Sequence, residues 1–410
     1  MTGAAQFLSQ FKPNLDWAKL PLFDRKDWTC VQFGDVVENV NDTVGDPGEA
    51  GLDRFIGLEH LEPGSLHIQS WGDVADGTTF TRRCRPGQVL FGKRRAYQRK
   101  VAVAEFDAVV SGDIYVLSPN SDRLLAEFLP FICLSERFFE HAVGTSAGSL
   151  SPRTNWTSLA SFEFDLPPLD HQRRIAEILW AVDEVITKAN ATAEDATGLV
   201  EATLNEFLYH GPNWNVLETR EILAEDPRNG YSPPASPNCG RVPTLSISAI
   251  RGGKVVPCGS LKYADVSDEA VKQFRLRRND ILVVRGNGNR MLCGRSGIVE
   301  DFPPGCFYPD LLIRLRFRSD CLLPEFAVMQ WNERKTHLRL LTKAKSSNGI
   351  SKINGQDIRS HQLAVPPISA QKQFLESIRI KQNIVSAVDY SATEAVMLQN
   401  SIINALFSAP

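Results

Sequence analysis

Ten positions set what this chain can fold into: Ile175, Leu179, Val182, Ile186, Ala189, Ala193, Ala196, Val200, Thr203 and Phe207. They follow one another in alternating steps of four and three, and nine of the ten are apolar. That is the spacing of a helical seam that packs on another helix. Displaced by 199 residues, the same steps fall on Phe374, Ile378, Lys381, Val385, Val388, Ala392, Ala395, Gln399, Ile402 and Leu406, with eight of the ten apolar. No proline interrupts 170–209 or 369–407, and the only glycine inside them is Gly198. A helix of about 40 residues runs roughly 60 Å, well past the length ordinary in globular proteins.

The offset is constant along these helices but not between them. Trp28 precedes Phe33-Gly-Asp-Val-Val, as Trp214 precedes Arg220-Glu-Ile-Leu. Gln88-Val-Leu-Phe91 answers to Asp280-Ile-Leu-Val283, and Gly112-Asp-Ile-Tyr-Val116 to Pro309-Asp-Leu-Leu-Ile313. Gly148 and Ser151 answer to Gly349 and Ser351, and Leu166-Pro-Pro-Leu169 to Val365-Pro-Pro-Ile368. The offset creeps from 186 to 201 over these landmarks, so loop length was free to vary while helix spacing was not. Each proline pair ends a short strand and permits a helix start. Asp170 or Ser369 is available as a cap, and a glutamine, Gln172 or Gln371, follows two places on.

The expected fold class is therefore α+β. Two repeated mixed α/β domains are joined by two long helices that form an antiparallel coiled coil with a pseudo-two-fold axis. The expected boundaries are 1–165 for the first globular domain, 166–210 for the central helix, 211–365 for the second domain and 366–410 for the distal helix. Ile175, Leu179, Val182, Ile186, Phe374, Ile378, Val385 and Leu406 are the spacer contacts, with Ile175 opposite Leu406. The plainer alternative packs each helix on its own domain. Within each globular domain, short β-rich runs alternate with turn residues, and one helix closes the sheet: Leu124 to His141, and Pro324 to Leu341.

The N-terminus MTGAAQFLSQFKPN has no basic flank leading into an apolar run, so it does not read as a signal peptide. No apolar stretch is long enough to span a membrane. Eight cysteines are scattered without a Cys-x-x-Cys pair, which speaks against structural zinc and fits a reducing cytoplasm.

A net charge of −3 would argue against nucleic acid if charge were evenly spread. It is not. Thr81–Lys100 holds eight basic residues and no acid, and Lys272–Arg295 holds seven against Asp280 alone. Acids such as Glu177, Asp183, Glu184, Glu194 and Asp195 load the first long helix. Both basic runs enclose the same predicted strand and interleave with Tyr97, Gln98, Asn287, Asn289 and glycines. Arg, Asn and Gln bond base edges bidentately, while Lys holds phosphates. On that chemistry the candidate DNA-binding residues are Lys93, Arg94, Arg95, Tyr97, Arg99, Arg285, Asn287, Asn289, Arg290, Lys345 and Lys352. The last two lie in the polar loop Lys345–Lys352, whose counterpart is Gly144-Thr-Ser-Ala-Gly-Ser-Leu-Ser-Pro-Arg-Thr-Asn155. A charge run that serves only as a solvated face is the competing reading.

Catalytic motifs are missing where they would be expected. There is no Gly-Lys-Ser/Thr phosphate loop, and none of the Pro-Pro pairs fits the Asn/Asp-Pro-Pro-aromatic motif of amino methyltransferases. Pro309-Asp310 with Glu333-Arg-Lys335 resembles a metal-dependent nuclease signature, but Glu333 falls in a helical stretch rather than on a strand. Asp113 and Glu136 repeat the pair in the first copy, with Phe138 in place of the lysine. No catalytic residue and no metal ligand is expected.

Leu166-Pro-Pro-Leu-Asp-His-Gln-Arg-Arg-Ile-Ala-Glu-Ile-Leu-Trp-Ala-Val-Asp-Glu184 closely resembles the central conserved region of specificity subunits from Type I restriction–modification systems. Phe91-Gly-Lys-Arg-Arg-Ala-Tyr-Gln-Arg-Lys100 resembles a segment of their target recognition domains. The second copy departs, with Lys372, Gln373 and Phe374 replacing Arg-Arg-Ile. The resemblance implies that each globular domain reads one half of a bipartite, interrupted double-stranded DNA site, and that the helices set the spacer. It implies a non-catalytic subunit that docks two methyltransferase subunits, with restriction subunits joining that core. S-adenosylmethionine, ATP and Mg are then expected on the partners and no cofactor in this chain. A stand-alone DNA-modifying enzyme and a coiled-coil scaffold that binds only proteins are the alternatives.

Overall fold

The computed structural model describes residues 24–234, 240–347 and 349–407. The chain divides into two compact units: the chain up to Asn190 together with that from Asp389 on, and Ala191–Val388. The first long helix, Leu169–Asn205, and the second, Ile368–Phe407, therefore each give one half to each unit.

In the first unit a four-stranded sheet runs in the order Val37–Asn39, Ile114–Pro119, Val89–Gly92, Val101–Val103. Val89–Gly92 is buried along its whole length. Successive side chains of a strand point to opposite faces, and Val89 and Phe91 enter one core while Leu90 enters another. The second unit repeats the device. Ile281–Val284 lies inside a six-stranded sheet, with Ile281 and Val283 on one side and Leu282 and Val284 on the other. A strand covered on both faces reads as a continuous apolar run, which is how QVLF and DILVV appear in the sequence.

The long helices pack antiparallel within each unit. In the first, Ile175, Ala176 and Leu179 share a core with Ile402, Ile403, Leu406 and Phe407, and Gln399 Nε2 lies 3.5 Å from the Leu179 carbonyl oxygen. In the second, Leu204 shares a core with Phe374 and Ile378, and the Phe207 and Phe374 rings are 4.7 Å apart. Lys381, a polar exception in one seam, donates to Oγ1 of Thr203, the polar exception in the other, at 2.9 Å. Ile186 is buried, and Val182 and Val385 are half-buried.

Two expectations change. Each closing helix is two helices. Leu129–Leu134 and Glu136–Gly144 meet at Ser135, and Pro324–Asn332 and Arg334–Leu341 meet at Glu333. At each break a buried side chain accepts the first amides of the new helix: Ser135 Oγ from Phe138, and the Glu333 carboxylate from Lys335 and Thr336. That satisfies amides the helix itself leaves unpaired. Glu333 also accepts from the Tyr209 hydroxyl at 2.7 Å. It is a helix cap, and the resemblance of Asp310 and Glu333 to a nuclease pair has no counterpart in the geometry.

Asp170 and Ser369 do not cap either. The long helices begin at Leu169 and Ile368, which puts both residues inside the first turn. The structural role belongs to the glutamines, both fully buried. Gln172 Oε1 accepts from the Leu125 amide at 2.9 Å, and its Nε2 donates to the carbonyls of Arg123 and Pro167, both at 2.8 Å. Gln371 does the same to Leu323 (2.8 Å), Cys321 (2.9 Å) and Pro366 (2.7 Å).

Candidate nucleic-acid interface

The basic loop of the first unit leaves the doubly buried strand Val89–Gly92 and returns as Val101–Val103. A hairpin on an inner strand has a rigid base, and rigid scaffolds commonly present binding loops. Arg95 and Arg99 both take left-handed backbone conformations, with φ of 55°, and they bracket a short helical turn, Ala96–Gln98. The loop is clipped to the 144–155 loop. Arg95 N donates to Pro152 O at 2.7 Å, and Thr154 N to Lys93 O at 3.1 Å. Arg94 pairs with Arg153 as an isolated bridge, and Arg153 pairs in turn with Ala147.

Much of this charge is already partnered. Asp113 binds Arg94 at 3.2 Å and Arg153 at 2.8 Å. Burial works against the ionised Asp113, but those two bonds outweigh it and hold its pKa below the ordinary value. Arg99 pairs with Glu136 and lies over the Phe139 ring. Its hydrogen bond lowers the Glu136 pKa. Arg83 pairs with Asp107, and Arg85 with Asp42. Lys93 is half-buried, with Nζ 4.7 Å from the Tyr115 ring centroid. Burial, and after it the Arg82 charge, lower its pKa. Arg95 has no acidic partner among the described residues, and Tyr97 is 55% exposed. The run of eight basic residues is therefore not a stripe of free charge. Within it Tyr97 stands open and Arg95 is half-buried with its Nε unpartnered, while Lys93, Arg94 and Arg99 are held by the fold.

The second unit builds the same arrangement on Ile281–Val284 and its antiparallel partner Ser296–Ile298. Gly286 and Asn287 pair with Lys352 and Ser351, and the strand Ile350–Lys352 pairs with Lys345–Ser347. Lys352 thus stands where Arg153 stands in the first unit, bridged on one side to the basic loop and on the other to the outgoing strand. Lys345 and Lys352 are exposed. The asparagines are committed locally. Asn287 Oδ1 accepts from the Asn289 amide, and Asn289 Oδ1 from the Met291 amide, both at 2.9 Å. Their amide nitrogens remain to donate. Arg285 donates to the Asp310 carbonyl and Arg290 to that of Leu341, both at 3.4 Å. Behind the loop, His337 Nε2 bonds Cys293 O at 2.7 Å. Next to it His361, edge-on to the Trp331 ring, is pushed by burial to about 3 and stays neutral.

Sequence reasoning left Arg153 out, although it lies in a loop whose likeness to 345–352 was visible. It also left out three apolar side chains beside the basic loops, Leu150 (90% exposed), Met291 and Ile350. Among the described residues no cluster of His, Cys, Asp and Glu suits a metal ion, and no helix is long and apolar enough to cross a membrane.

The fold and site define a duplicated α+β chain in which each unit carries a clipped basic hairpin and half of two long antiparallel helices. Residues 79–195 match the family described as Type I restriction modification DNA specificity domain. The chain is similar to the Type I restriction enzyme EcoKI specificity subunit of Escherichia coli K12, 24% identical over 63% of this chain and 60% of that protein. It is also similar to the EcoDI specificity subunit of E. coli, 26% identical over 48% of this chain and 44% of that one. These matches span less than two thirds of either relative. Its fold is that of the S subunit of a Type I restriction–modification system from M. genitalium, with a TM-score of 0.54 at 11% identity, over 94% of this chain and 97% of that one. Over part of its length the chain is thus similar to Type I restriction enzyme specificity subunits.

Proposed function

We propose that this chain is the DNA-recognition component of a Type I restriction–modification assembly, without catalysis of its own. One observation carries the reading. In both units a basic loop leaves an inner strand and is clipped, in the same register, to a second loop bearing Arg153 or Lys352. Two such loops suit a bipartite duplex site, one half for each of the globular segments 1–165 and 211–365. Segments 166–210 and 366–410 act as the spacer.

The helices also keep apolar side chains in solvent: Ile178 and Val185 on the first, Ile380 and Ile384 on the second. Exposed apolar residues at helical spacing support docking of partner helices, here two methyltransferase subunits, with restriction subunits added to that core. S-adenosylmethionine, ATP and Mg belong to those partners, and the assembly works in the cytoplasm, on DNA.

The test is to express adenine methyltransferase subunits with and without this chain and to map methylated positions in DNA. A two-part interrupted site that appears only with the chain supports the proposal. Methylation at the same positions without it favours a protein-binding scaffold. Turnover of DNA by the chain alone with Mg²⁺ or S-adenosylmethionine favours an enzyme.

A further inference from the structure

The segment 35–79 holds ten acidic residues and one basic residue, Arg54. Of the ten, only Asp42 and Asp53 have a basic partner among the described residues. Part of this charge borders a stack of side chains. Phe106 packs on the core that contains Ile56. The Arg54 guanidinium lies 4.6 Å from the Phe106 ring centroid and 4.4 Å from that of Trp71, and the two rings meet edge to face at 5.2 Å. Trp71 is thereby held in place while 44% exposed. Asp73 stands opposite Arg54 in the strand pairing, Asp53 precedes Arg54, and Asp76 ends the short turn that follows Asp73. All three aspartates are exposed.

The stack and the basic loop lie at opposite ends of one strand. Leu58, just past the strand Arg54–Ile56, offers its carbonyl to Lys100 Nζ at 2.6 Å, at the base of the loop. Arg54 lies four residues back, roughly 13 Å at the rise of a strand. The second unit shows that the fold does not need such an edge. Phe55 pairs in parallel with Val109 as Thr244 does with Phe307, so Asp73, opposite Arg54, answers to Tyr263, opposite Pro243. Segment 221–271 of that unit holds six acidic residues against five basic ones, close to neutral.

Tryptophan and arginine dominate the energetics of protein contacts, and groups already fixed cost little entropy to bury. Unpaired carboxylates repel DNA phosphates and anionic lipid heads alike, and they attract lysine and arginine. We propose that the edge formed by Trp71, Arg54, Phe106 and the three aspartates docks a partner protein through a lysine- and arginine-rich surface, of the kind DNA-handling proteins carry. This rests on the reading of the chain as one component of an assembly. It adds a protein contact on the first globular domain, apart from the long helices and away from the basic loop.

The experiment measures binding of the purified full chain to methyltransferase subunits and, once that core has formed, to restriction subunits, at low and high salt. The variants are Trp71→Ala, the triple Asp53→Asn, Asp73→Asn, Asp76→Asn, and Tyr263→Ala at the matching place in the second unit. Asparagine keeps the size of aspartate and still caps the turn after residue 73, so the triple variant tests charge alone. Trp71→Ala should weaken one of the two associations roughly tenfold or more. The triple variant should slow the same association and flatten its salt dependence, and Tyr263→Ala should change neither. All variants should direct methylation to the same DNA sequence as wild type, which also shows that the first unit is folded.

Unchanged affinity for both subunits in the Trp71 and triple variants overturns the inference. A loss in Trp71→Ala without one in the triple variant overturns the basic character of the partner. Tighter DNA binding by the triple variant with unchanged protein binding overturns it too, since the edge then only repels DNA, as does a loss of self-association alone, since the partner is then a second copy. Wild-type chain that binds neither subunit overturns the assembly reading itself.

Discussion

Replacing Gln172 with methionine tests how the long helix is anchored to its unit. The side chains are close in volume, so packing is nearly kept while every polar contact goes. Gln172 is fully buried, so no water replaces the lost partners. Three bonds vanish: from the Leu125 amide and to the carbonyls of Arg123 and Pro167. At a net of about 1 kcal/mol each the loss is about 3 kcal/mol, and an amide left unsatisfied adds to it. A chain of two units need not unfold in one step, so the local readout is hydrogen exchange. About 3 kcal/mol corresponds to a roughly hundredfold faster exchange of the Leu125 amide. Gln371→Met is a built-in replicate, because the second unit repeats the three bonds, and there the amide to follow is Leu323. Unchanged exchange at Leu125 would refute the anchoring argument. A response at only one of the two sites would refute the equivalence of the repeats.

Cysteines at Ile175 and Leu406 should cross-link under mild oxidation, since both lie in one core of the first unit, whereas Ile175 paired with Phe374 should not; gel mobility reads the outcome. Arg95→Ala should lower the slope of log affinity against log salt by about one unit if Arg95 holds a phosphate, while Arg99→Ala, whose guanidinium already serves Glu136, should change it far less. His67 lies between Glu105 (2.6 Å) and the buried Asp183 (2.8 Å). Burial opposes its charge, but the bonds to both carboxylates outweigh it and raise its pKa above 6.5. A raised folded pKa contributes stability that is complete below 6.5 and lost as pH climbs through the folded value. His67→Gln should remove that pH-dependent part of the first unit's melting temperature, and an identical pH profile in the variant would show that the contact contributes nothing.

Some of this was legible in the sequence because the physics behind it is periodic. A buried seam repeats every three or four residues whatever surrounds it, so Ile175, Leu179, Phe374 and Leu406 stood out. An inner strand covered on both faces left an unbroken apolar run. The glutamines stood out as a recurring pair, but not what they hold, because Arg123, Leu125, Cys321 and Leu323 lie far away along the chain. The same limit governs the charges. The run Thr81–Lys100 looked bare because its acids, Asp42, Asp107, Asp113 and Glu136, arrive from other elements. The breaks at Ser135 and Glu333 hid because the apolar pattern continues across each cap. Leu150 gave no periodic signal at all, since a lone aliphatic residue in a Gly-Ser loop belongs to no face.

The division of each long helix between the units bears on how the chain is made. Residues 389–407, which supply Ile402, Ile403, Leu406 and Phe407 to the first core, leave the ribosome only after the whole of the second unit. Until then Ile175 and Leu179 have no helix against them, and the first unit waits with an apolar strip in solvent. Such contacts, distant in sequence, close slowly, and a strip left open invites association. Synthesis that stalls late should therefore be more damaging than the few missing residues suggest: it would leave the unit made first as the one that never finishes.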